Sequence, residues 1–311
     1  MGLSAIARSI MPEPAFRLAR RTIRSPKAFI SRIGTVDMLP RTRLCDRLWH
    51  RTDFKRVHGR DPVSGATMIN DYLYWMKTSR EIEGSLRVTV SDKEHVKDFI
   101  AQHVGSQFNV PTIAVLRSYT EAARFEYPSR CVIKPTHASG QVIFRRDAEE
   151  INLGVIDSWF DLNFYHRVRE RNYRKLKPKV IVEPLIFGQF APEDFKVFCW
   201  RGVPRFIQVD ISRFGKHVRA YFDPEWKQLP FTMNHPAAEG SVARPPALDV
   251  MIELATKLST PFTFIRVDFY ANGSEVVVGE LTNCPEAGRC VFKPASAELA
   301  ASRLLFGRDF T

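Results

Sequence analysis

Residues 264–283 read FIRVDFYANGSEVVVGELTN, and this stretch decides the fold. Two apolar-rich runs flank Asn272-Gly273, and an Asn-Gly pair in that setting is the strongest short-range signal for a β-hairpin. In such a hairpin Asp268 and Glu280 lie on adjacent antiparallel strands and can point to the same side. Two converging carboxylates suit Mg²⁺, which prefers hard oxygen ligands. The alternative is a surface pair in which each acid meets a basic neighbour.

A second hairpin is predicted upstream, with strands at 194–201 and 205–211 and a turn at 202–204. Because side chains alternate along a strand, Asp194 and Lys196 share one face. Arg213 follows at the end of the second strand. These residues would place cationic groups beside the terminal phosphate of a nucleotide. A surface ion-pair ladder explains the same pattern equally well.

The first half of the chain carries a lysine at a predicted strand end. Cys131 to Lys134 favour a strand, residues 136–141 a loop of small residues, and residues 142–146 a returning strand. Such a loop can cover phosphates with its backbone amides, but it lacks the Walker spacing, so a P-loop is excluded. Residues 179–185 read KVIVEPL, which predicts a strand buried on both faces.

Further local patterns predict three helices, one helix start and one weak strand. Residues 68–78 and 248–258 have helical spacing, and residues 151–177 favour one long helix that ends before Pro178. Ser91 and Glu94 have the spacing of a capping box, which predicts a helix start there. Residues 86–90 favour a weak strand.

The charge is concentrated near the N-terminus. The 311 residues carry a net charge of +12, but residues 1–60 hold 14 Lys plus Arg against four acids. The remaining residues are nearly neutral, which argues against a nucleic-acid binder. The basic segment would contact an anionic membrane surface, or it is a solvated arm or a helix packed on the body.

Other compositional features exclude several protein classes. No apolar run is long enough to span a membrane, and no apolar signal sequence follows the first methionine. The five cysteines are scattered and lack a C-x-x-C pair, so neither a disulfide framework nor a zinc site is indicated. We therefore expect a cytoplasmic protein, with peripheral contact at the inner face of the membrane through residues 1–60.

The order of these motifs resembles the ATP-grasp superfamily, and in particular its TupA-like branch, which is associated with surface-polysaccharide gene clusters. The resemblance runs from about residue 71 to residue 307. It rests on VIKPTHASG, VIVEPL, DFKVFCWRG and IRVDFY…GELTNCP, in that order, and on FDPEW at 222–226. It implies an α+β fold in which two α+β subdomains clasp a nucleotide, preceded by a basic, partly helical segment.

The resemblance also implies roles for individual residues. Lys93 and Lys134 would contact the phosphates of ATP, Ser139 and Gly140 would belong to the phosphate loop, and the backbone from Glu183 to Leu185 would border the adenine. Arg213 and Lys196, with Asp194 nearby, would stabilise an acyl phosphate. Asp268 and Glu280 would hold Mg²⁺ together with Thr282 or Asn283, because the family asparagine position is occupied here by Thr282.

The domains implied are residues 1–90, the basic lead-in; 91–185, the first subdomain; and 186–311, the second. We expect an ATP- and Mg²⁺-dependent carboxylate-amine ligase that acts through an acyl phosphate in surface-polysaccharide or exopolysaccharide assembly. Its partners would be a glycan or small-molecule carboxylate and an amine. Two alternatives stay open: a phosphotransferase with the same fold, and an anionic-surface binding protein whose nucleotide clasp is inactive.

Overall fold

The computed structural model describes residues 40–63, 68–190, 192–211 and 217–310. The chain divides into two compact units, Met1–Cys45 and Asp46–Thr311. In the first unit, the Thr42 hydroxyl accepts a hydrogen bond of 3.2 Å from the backbone amide of Cys45. Most of the basic segment, to which we assign membrane contact, lies outside the described residues.

Nine helices of at least four residues occur in the described part of the chain. In order they are α1 (Arg43–His58), α2 (Ile69–Thr78), α3 (Ser85–Thr89), α4 (His95–Val104), α5 (Tyr119–Arg124), α6 (Leu153–Phe160), α7 (Tyr165–Val168), α8 (Leu248–Ser259) and α9 (Ala297–Phe306). Helices α2 and α8 confirm the helical spacing of the sequence. No helix of the described residues combines the length and the apolar character needed to cross a bilayer.

The strands form two main sheets and one short pair, all antiparallel. The four-stranded sheet has the order β1-β4-β2-β3, from β1 (Ala114–Leu116), β2 (Cys131–Pro135), β3 (Ile143–Arg145) and β4 (Val180–Glu183). The five-stranded sheet has the order β10-β9-β5-β6-β7, from β5 (Glu193–Trp200), β6 (Val203–Ile211), β7 (Val218–Phe222), β9 (Phe264–Asn272) and β10 (Glu275–Thr282). The short pair joins β8 (Thr232–Met233) to β11 (Phe292–Lys293). This arrangement is α+β, as expected.

The two faces of the five-stranded sheet differ in polarity. On one face, Phe195, Val197, Val267 and Phe269 are buried in a core that also contains apolar residues of helices α4 and α8. On the opposite face the residues near Lys196 and Asp268 are polar, but Phe198, Phe206 and Phe264 belong to a second apolar core with helices α2 and α9. The polar part of this face borders the site described below.

The predicted boundaries at 90 and 185 stay predictions. The strands of the four-stranded sheet lie before residue 185, and those of the five-stranded sheet lie after it. Helix α4, however, contributes Val96, Phe99 and Ile100 to the core of the five-stranded sheet. The start of the predicted first subdomain therefore packs with the second sheet.

Two local predictions were wrong because tertiary contacts outweigh local pattern. The predicted long helix over residues 151–177 is broken into α6, α7 and a 3₁₀ turn, Arg171–Tyr173. Asn163 accepts a hydrogen bond of 3.1 Å from the amide of Tyr165, which starts a new helix, and Arg169 has a left-handed φ of 56°. The weak strand over residues 86–90 is instead helix α3, where the buried Arg87 side chain donates to the backbone carbonyl of Phe264.

The capping box was also wrong. Asp92 Oδ1, rather than Ser91, accepts hydrogen bonds from the amides of Glu94 (2.9 Å) and His95 (3.4 Å) at the start of α4. The Ser91 hydroxyl instead donates to the carbonyl of Arg87. A carboxylate accepts more strongly than a hydroxyl, so the aspartate takes the cap.

The turn of the β5–β6 hairpin is displaced from its predicted place. It falls at Arg201-Gly202, whose φ values are 48° and 77°. Positive φ at both central residues is typical of a two-residue hairpin turn that matches the strand twist.

Candidate active site

A cavity of about 1270 Å³ is lined by residues from both main sheets. Most predicted site residues line it, namely Lys93, Lys134, Ser139, Gly140, Glu183, Asp194, Lys196, Asp268, Glu280 and Thr282. Leu185 and Asn283 are described by the structure but do not line this cavity. Arg213 lies outside the described residues, so its predicted role stays a prediction.

The polar face of the five-stranded sheet forms the floor of this cavity. Glu280 pairs directly with Asp268 across β10 and β9, and Asp268 pairs with Lys196 across β9 and β5. Lys196 pairs in turn with Gln208 on β6. One row of the sheet therefore carries two carboxylates and an ammonium side by side, which confirms that Asp268 and Glu280 face the same side.

A β-bulge at Gly279 makes this pairing possible. Val278 pairs with Phe269 and Glu280 pairs with Asp268, so Gly279 is the extra residue of its strand. Without the bulge, Gly279 would oppose Asp268, and Glu280 would turn toward the apolar core. A Cβ at Gly279 would come within 2.7 Å of the Tyr270 ring, so the close approach requires glycine.

Arg266 holds the two carboxylates together. Its Nε and Nη2 donate to Asp268 Oδ1 and Oδ2 at 2.7 and 2.6 Å, and Nη2 lies 3.7 Å from Glu280 Oε1. Burial raises the pKa of Asp268 to about 7 despite Arg266, with Glu280 adding to the rise. Burial also acts on Glu280, but Lys93 and Arg266 outweigh it and lower the pKa of Glu280 to about 2.

The donor set around Glu280 fits a magnesium ion. The Thr282 hydroxyl donates to Glu280 Oε1 at 2.9 Å, and 36% of the Glu280 side chain is exposed. Asn283 is buried elsewhere, since its Oδ1 accepts from Arg87 Nη1 at 2.9 Å. These oxygens are hard ligands of the kind that Mg²⁺ takes. Of the two predicted third ligands, the geometry therefore favours Thr282.

A chain of alternating charges runs across the same face. Lys196 Nζ lies 2.5 Å from Asp194 Oδ2 and 2.7 Å from Asp210 Oδ2. Arg219 Nε donates to Asp210 Oδ1 at 2.7 Å, and Arg219 Nη2 donates to Glu286 at 2.9 Å. Burial acts on Asp210, but Lys196 and Arg219 outweigh it and hold the pKa of Asp210 well below its ordinary value.

Three further lysines, one on the four-stranded sheet and two at or before helix α4, form a second cationic cluster. Lys134 Nζ lies 2.6 Å from Glu183 Oε2, and Lys97 Nζ lies 2.7 Å from Glu183 Oε1. Burial lowers the pKa of Lys134, but Glu183 outweighs it and the pKa is raised. Lys93 donates to the carbonyl of Ala138 at 2.6 Å, and burial lowers the pKa of Lys93.

The predicted phosphate loop and adenine edge lie at the cavity wall. Ser139 and Gly140 are exposed, and Gly140 has a φ of 75° with open space where a Cβ would stand. After Glu183 the wall continues through Pro184 and Ile186 rather than Leu185.

Sequence reasoning missed several lining residues. Asp210, Arg219 and Tyr270 share the face of Lys196 by strand alternation, so the period of two already contained their signal. Glu170 and Tyr173 follow the short helix α7, and no local pattern indicates them.

A second group of metal-type ligands is already occupied by a cation. Within the described residues, Asp92, Glu94 and His95 bring ligand atoms within 4.8 Å of one another. Lys179 Nζ lies among them, 3.1 Å from Asp92 Oδ2 and 3.3 Å from His95 Nε2, and it also contacts Glu94. The group is therefore an ion-pair cluster around Lys179, in which Asp92 is buried and His95 is exposed.

Comparison with known proteins identifies similar chains. The model of the family described as TupA-like ATPgrasp matches residues 72–302. Among solved structures, D-alanine–D-alanine ligase from Bacillus anthracis is 14% identical over 71% of this chain and 68% of that chain, with a TM-score of 0.38. The Helicobacter pylori D-alanine–D-alanine ligase is 17% identical over 75% and 68%, with a TM-score of 0.38. The ATP-grasp ligase PsnB, complexed with a phosphomimetic variant of its minimal precursor, Mg and ADP, is 12% identical over 76% and 67%, with a TM-score of 0.39. No curated protein sequence matches.

Proposed function

We propose that the chain, which belongs to the TupA-like ATP-grasp family, is an ATP-dependent ligase that joins a carboxylate to an amine through an acyl phosphate. We place this reaction in the assembly of a cell-surface polysaccharide or exopolysaccharide. The acceptor would be a glycan or small-molecule carboxylate. The basic residues 1–60 would hold the enzyme at the inner face of the membrane.

One observation carries the proposal of phosphoryl chemistry. Glu280, Asp268 and Lys196 stand in one row of the sheet, and the cavity that this row faces is also lined by Lys93 and Lys134. Attack of a carboxylate on a γ-phosphate brings two anions together, so the site must supply fixed positive charge. Ammonium groups from both sheets converge on one cavity.

The lysines of the cavity would bind ATP and the transferred phosphoryl group. Lys134 and Lys93 would bind the phosphates of ATP, with the backbone of Ser139 and Gly140 covering them. Lys196, fixed between two aspartates, would orient the acceptor carboxylate and the transferred phosphoryl group. Because Lys196 is held by short ion pairs before any substrate binds, it needs little reorganisation during the reaction.

Glu280, Asp268 and Thr282 would hold Mg²⁺. A bound magnesium ion would offset the negative charge of the phosphates during transfer. Arg266 would hold the Asp268 carboxylate in place beside Glu280 through its two hydrogen bonds to Asp268. Arg219 and Asp210 would keep Lys196 in place from the other side.

The test is a product assay with purified full-length protein, Mg²⁺ and ATP. A ligase releases ADP and free phosphate only when a carboxylate and an amine are both present. Phosphate that stays on the acceptor without an amine would instead establish the phosphotransferase alternative. Turnover that does not depend on any acceptor would contradict both.

A further inference from the structure

One carboxyl group in the cavity wall has no role in the proposed phosphoryl transfer. Glu170 follows helix α7, is 4% exposed and lines the cavity together with Tyr173 and Cys284. Among the described residues, none donates a hydrogen bond to its carboxylate and none places a cationic nitrogen within 4.0 Å of it. A buried acid without a direct partner is costly, so its place at a substrate cavity calls for a function.

The charges that face Glu170 are already engaged. Lys77 on α2 donates to the carbonyl of Ala287 at 2.6 Å, and Arg289 Nε donates to Asp53 at 2.6 Å. The other titratable groups that face it are Tyr173 on the same wall and Cys284 after β10. Burial raises the pKa of Glu170 to about 7, although Lys77 and Arg289 pull it down. At neutral pH this group can both release and accept a proton.

Glu170 lines the same cavity as the carboxylate row of the sheet. Burial raises the pKa of Tyr173, and the carboxylates of Glu170 and Glu280 add to the rise. Glu170, Tyr173 and Glu280 all line the same cavity.

We propose that Glu170 binds the ammonium group of a primary-amine substrate and takes one proton from it. This inference rests on the proposed ligase function and names its second substrate by chemistry. Loss of that proton leaves the nitrogen lone pair free to attack the acyl carbon. The new C–N bond forms, the C–O bond to phosphate breaks with its electron pair leaving on phosphate, and the surplus proton of the nitrogen goes to the departing phosphate.

A structural role for Glu170 predicts different behaviour. If its charge only balanced Lys77 and Arg289, its removal would change stability but not the response to amines. Glu170→Gln keeps the shape and removes the charge, and Glu170→Asp keeps the charge but moves it back by one methylene. Glu239→Gln is the matched control, because Glu239 is an exposed acid on the same cavity wall.

The first measurement is independent of turnover. Melting temperatures of the full chain are compared in methylammonium chloride and in tetramethylammonium chloride at equal concentration, because the second cation has no N–H donors. We expect methylammonium to stabilise the wild type and Glu239→Gln more than tetramethylammonium does, increasingly so from pH 6 to pH 8 as Glu170 ionises. Glu170→Gln should lose the difference and Glu170→Asp should retain part of it. An unchanged difference in Glu170→Gln, or one that does not depend on pH, would overturn the proposal.

The same samples are melted with Mg²⁺ and ATP. An equal nucleotide shift in all four proteins shows that the variants leave the nucleotide site intact. No shift even in the wild type would count against the proposed ligase function, whereas the methylammonium comparison would still decide the role of Glu170.

The second measurement uses turnover with the carboxylate found in the product assay. Hydroxylamine is uncharged at neutral pH and needs no base, so Glu170→Gln should spare hydroxamate formation. The same variant should slow the reaction with a primary amine by about 100-fold or more, which is the usual contribution of a general base. Equal slowing of both reactions, or of neither, would refute the role.

Discussion

The most direct test of the nucleotide site uses Lys134 and Lys97, which bind the two oxygens of the buried Glu183 carboxylate. Lys134 and Lys97 lie 2.6 and 2.7 Å from Glu183, and their side chains are 15% and 17% exposed. Of the two, only Lys134 lines the cavity. Lys134→Met and Lys97→Met each remove one ammonium and keep an apolar stem. Comparing the two variants therefore distinguishes the ion pair with Glu183, which both lysines make, from contact with ATP, which only Lys134 would make.

The expected magnitudes follow from the loss of one charge-assisted hydrogen bond. Such a bond contributes about 1.5–3 kcal/mol, so each variant should lose about that much free energy of unfolding. In Lys134→Met the phosphate contact is lost as well. The same energy range then corresponds to about 10- to 150-fold weaker ATP binding, since about 1.4 kcal/mol is a factor of ten.

The assays are urea denaturation for stability and isothermal titration with Mg²⁺ and ATP for affinity. Lys97→Met should bind ATP within about a factor of two of the wild type, because the Lys97 side chain does not line the cavity. Equal weakening in both variants would show that Lys134 acts only through Glu183. Unchanged affinity in Lys134→Met would remove the lysine from the phosphate site altogether.

Three further perturbations test the sheet. Glu280→Gln should abolish Mg²⁺-dependent ADP release without lowering the melting temperature, and a full rate at saturating Mg²⁺ would exclude Glu280 as a ligand. Asp210→Asn breaks buried ion pairs and should cost about 3–5 kcal/mol at neutral pH. The folded-state pKa of Asp210 is depressed, so the extra free energy of unfolding of the wild type is complete above the unfolded pKa of about 3.9. It declines as the pH falls below that value, and urea midpoints of both proteins at pH 7 and pH 3 test this. Gly279→Ala meets the Tyr270 ring at 2.7 Å and should cost about 1–3 kcal/mol by overpacking. Gly279→Ala should also turn Glu280 away from the metal site and slow ADP release. The control Gly273→Ala, in the open turn of the same hairpin, should cost about 1 kcal/mol and leave ADP release unchanged. Equal rates of ADP release in both variants would contradict the role of the bulge.

Strand alternation allowed much of the carboxylate site to be predicted. A period of two depends only on neighbouring residues, so Asp194 and Lys196 could be placed on one face without knowledge of the fold. The position of Glu280 needed one more inference. Strict alternation from Val278 would send Glu280 to the apolar side, and the bulge at Gly279 corrects this. A glycine inside a strand is a known signal for a bulge, so the sequence contained the information.

Cap and helix predictions failed where side chains reach far along the chain. Arg87 binds the carbonyl of Phe264 and the side chain of Asn283, contacts that fix residues 85–89 as a helix despite their strand-like composition. The Ser91 hydroxyl accepts hydrogen bonds from the side-chain amides of Asn172 and Asn283, so it binds distant segments and does not cap its own helix. Local propensity is a weak prior against such tertiary contacts.

The same distinction explains why the acceptor is harder to infer than the nucleotide. Lys134, Glu183, Asp268 and Glu280, which are assigned to ATP and Mg²⁺, lie on strands, where regular spacing positions them. Glu170 lies in the irregular stretch 161–178, which is held by contacts such as the Tyr165 hydroxyl to Asp46 at 2.7 Å and Asn172 to Ser91 at 2.8 Å. Neither contact has a periodic signature. Since irregular segments usually carry specificity while the sheets carry the common chemistry, changes within 161–178 should alter the choice of amine before they alter ATP binding.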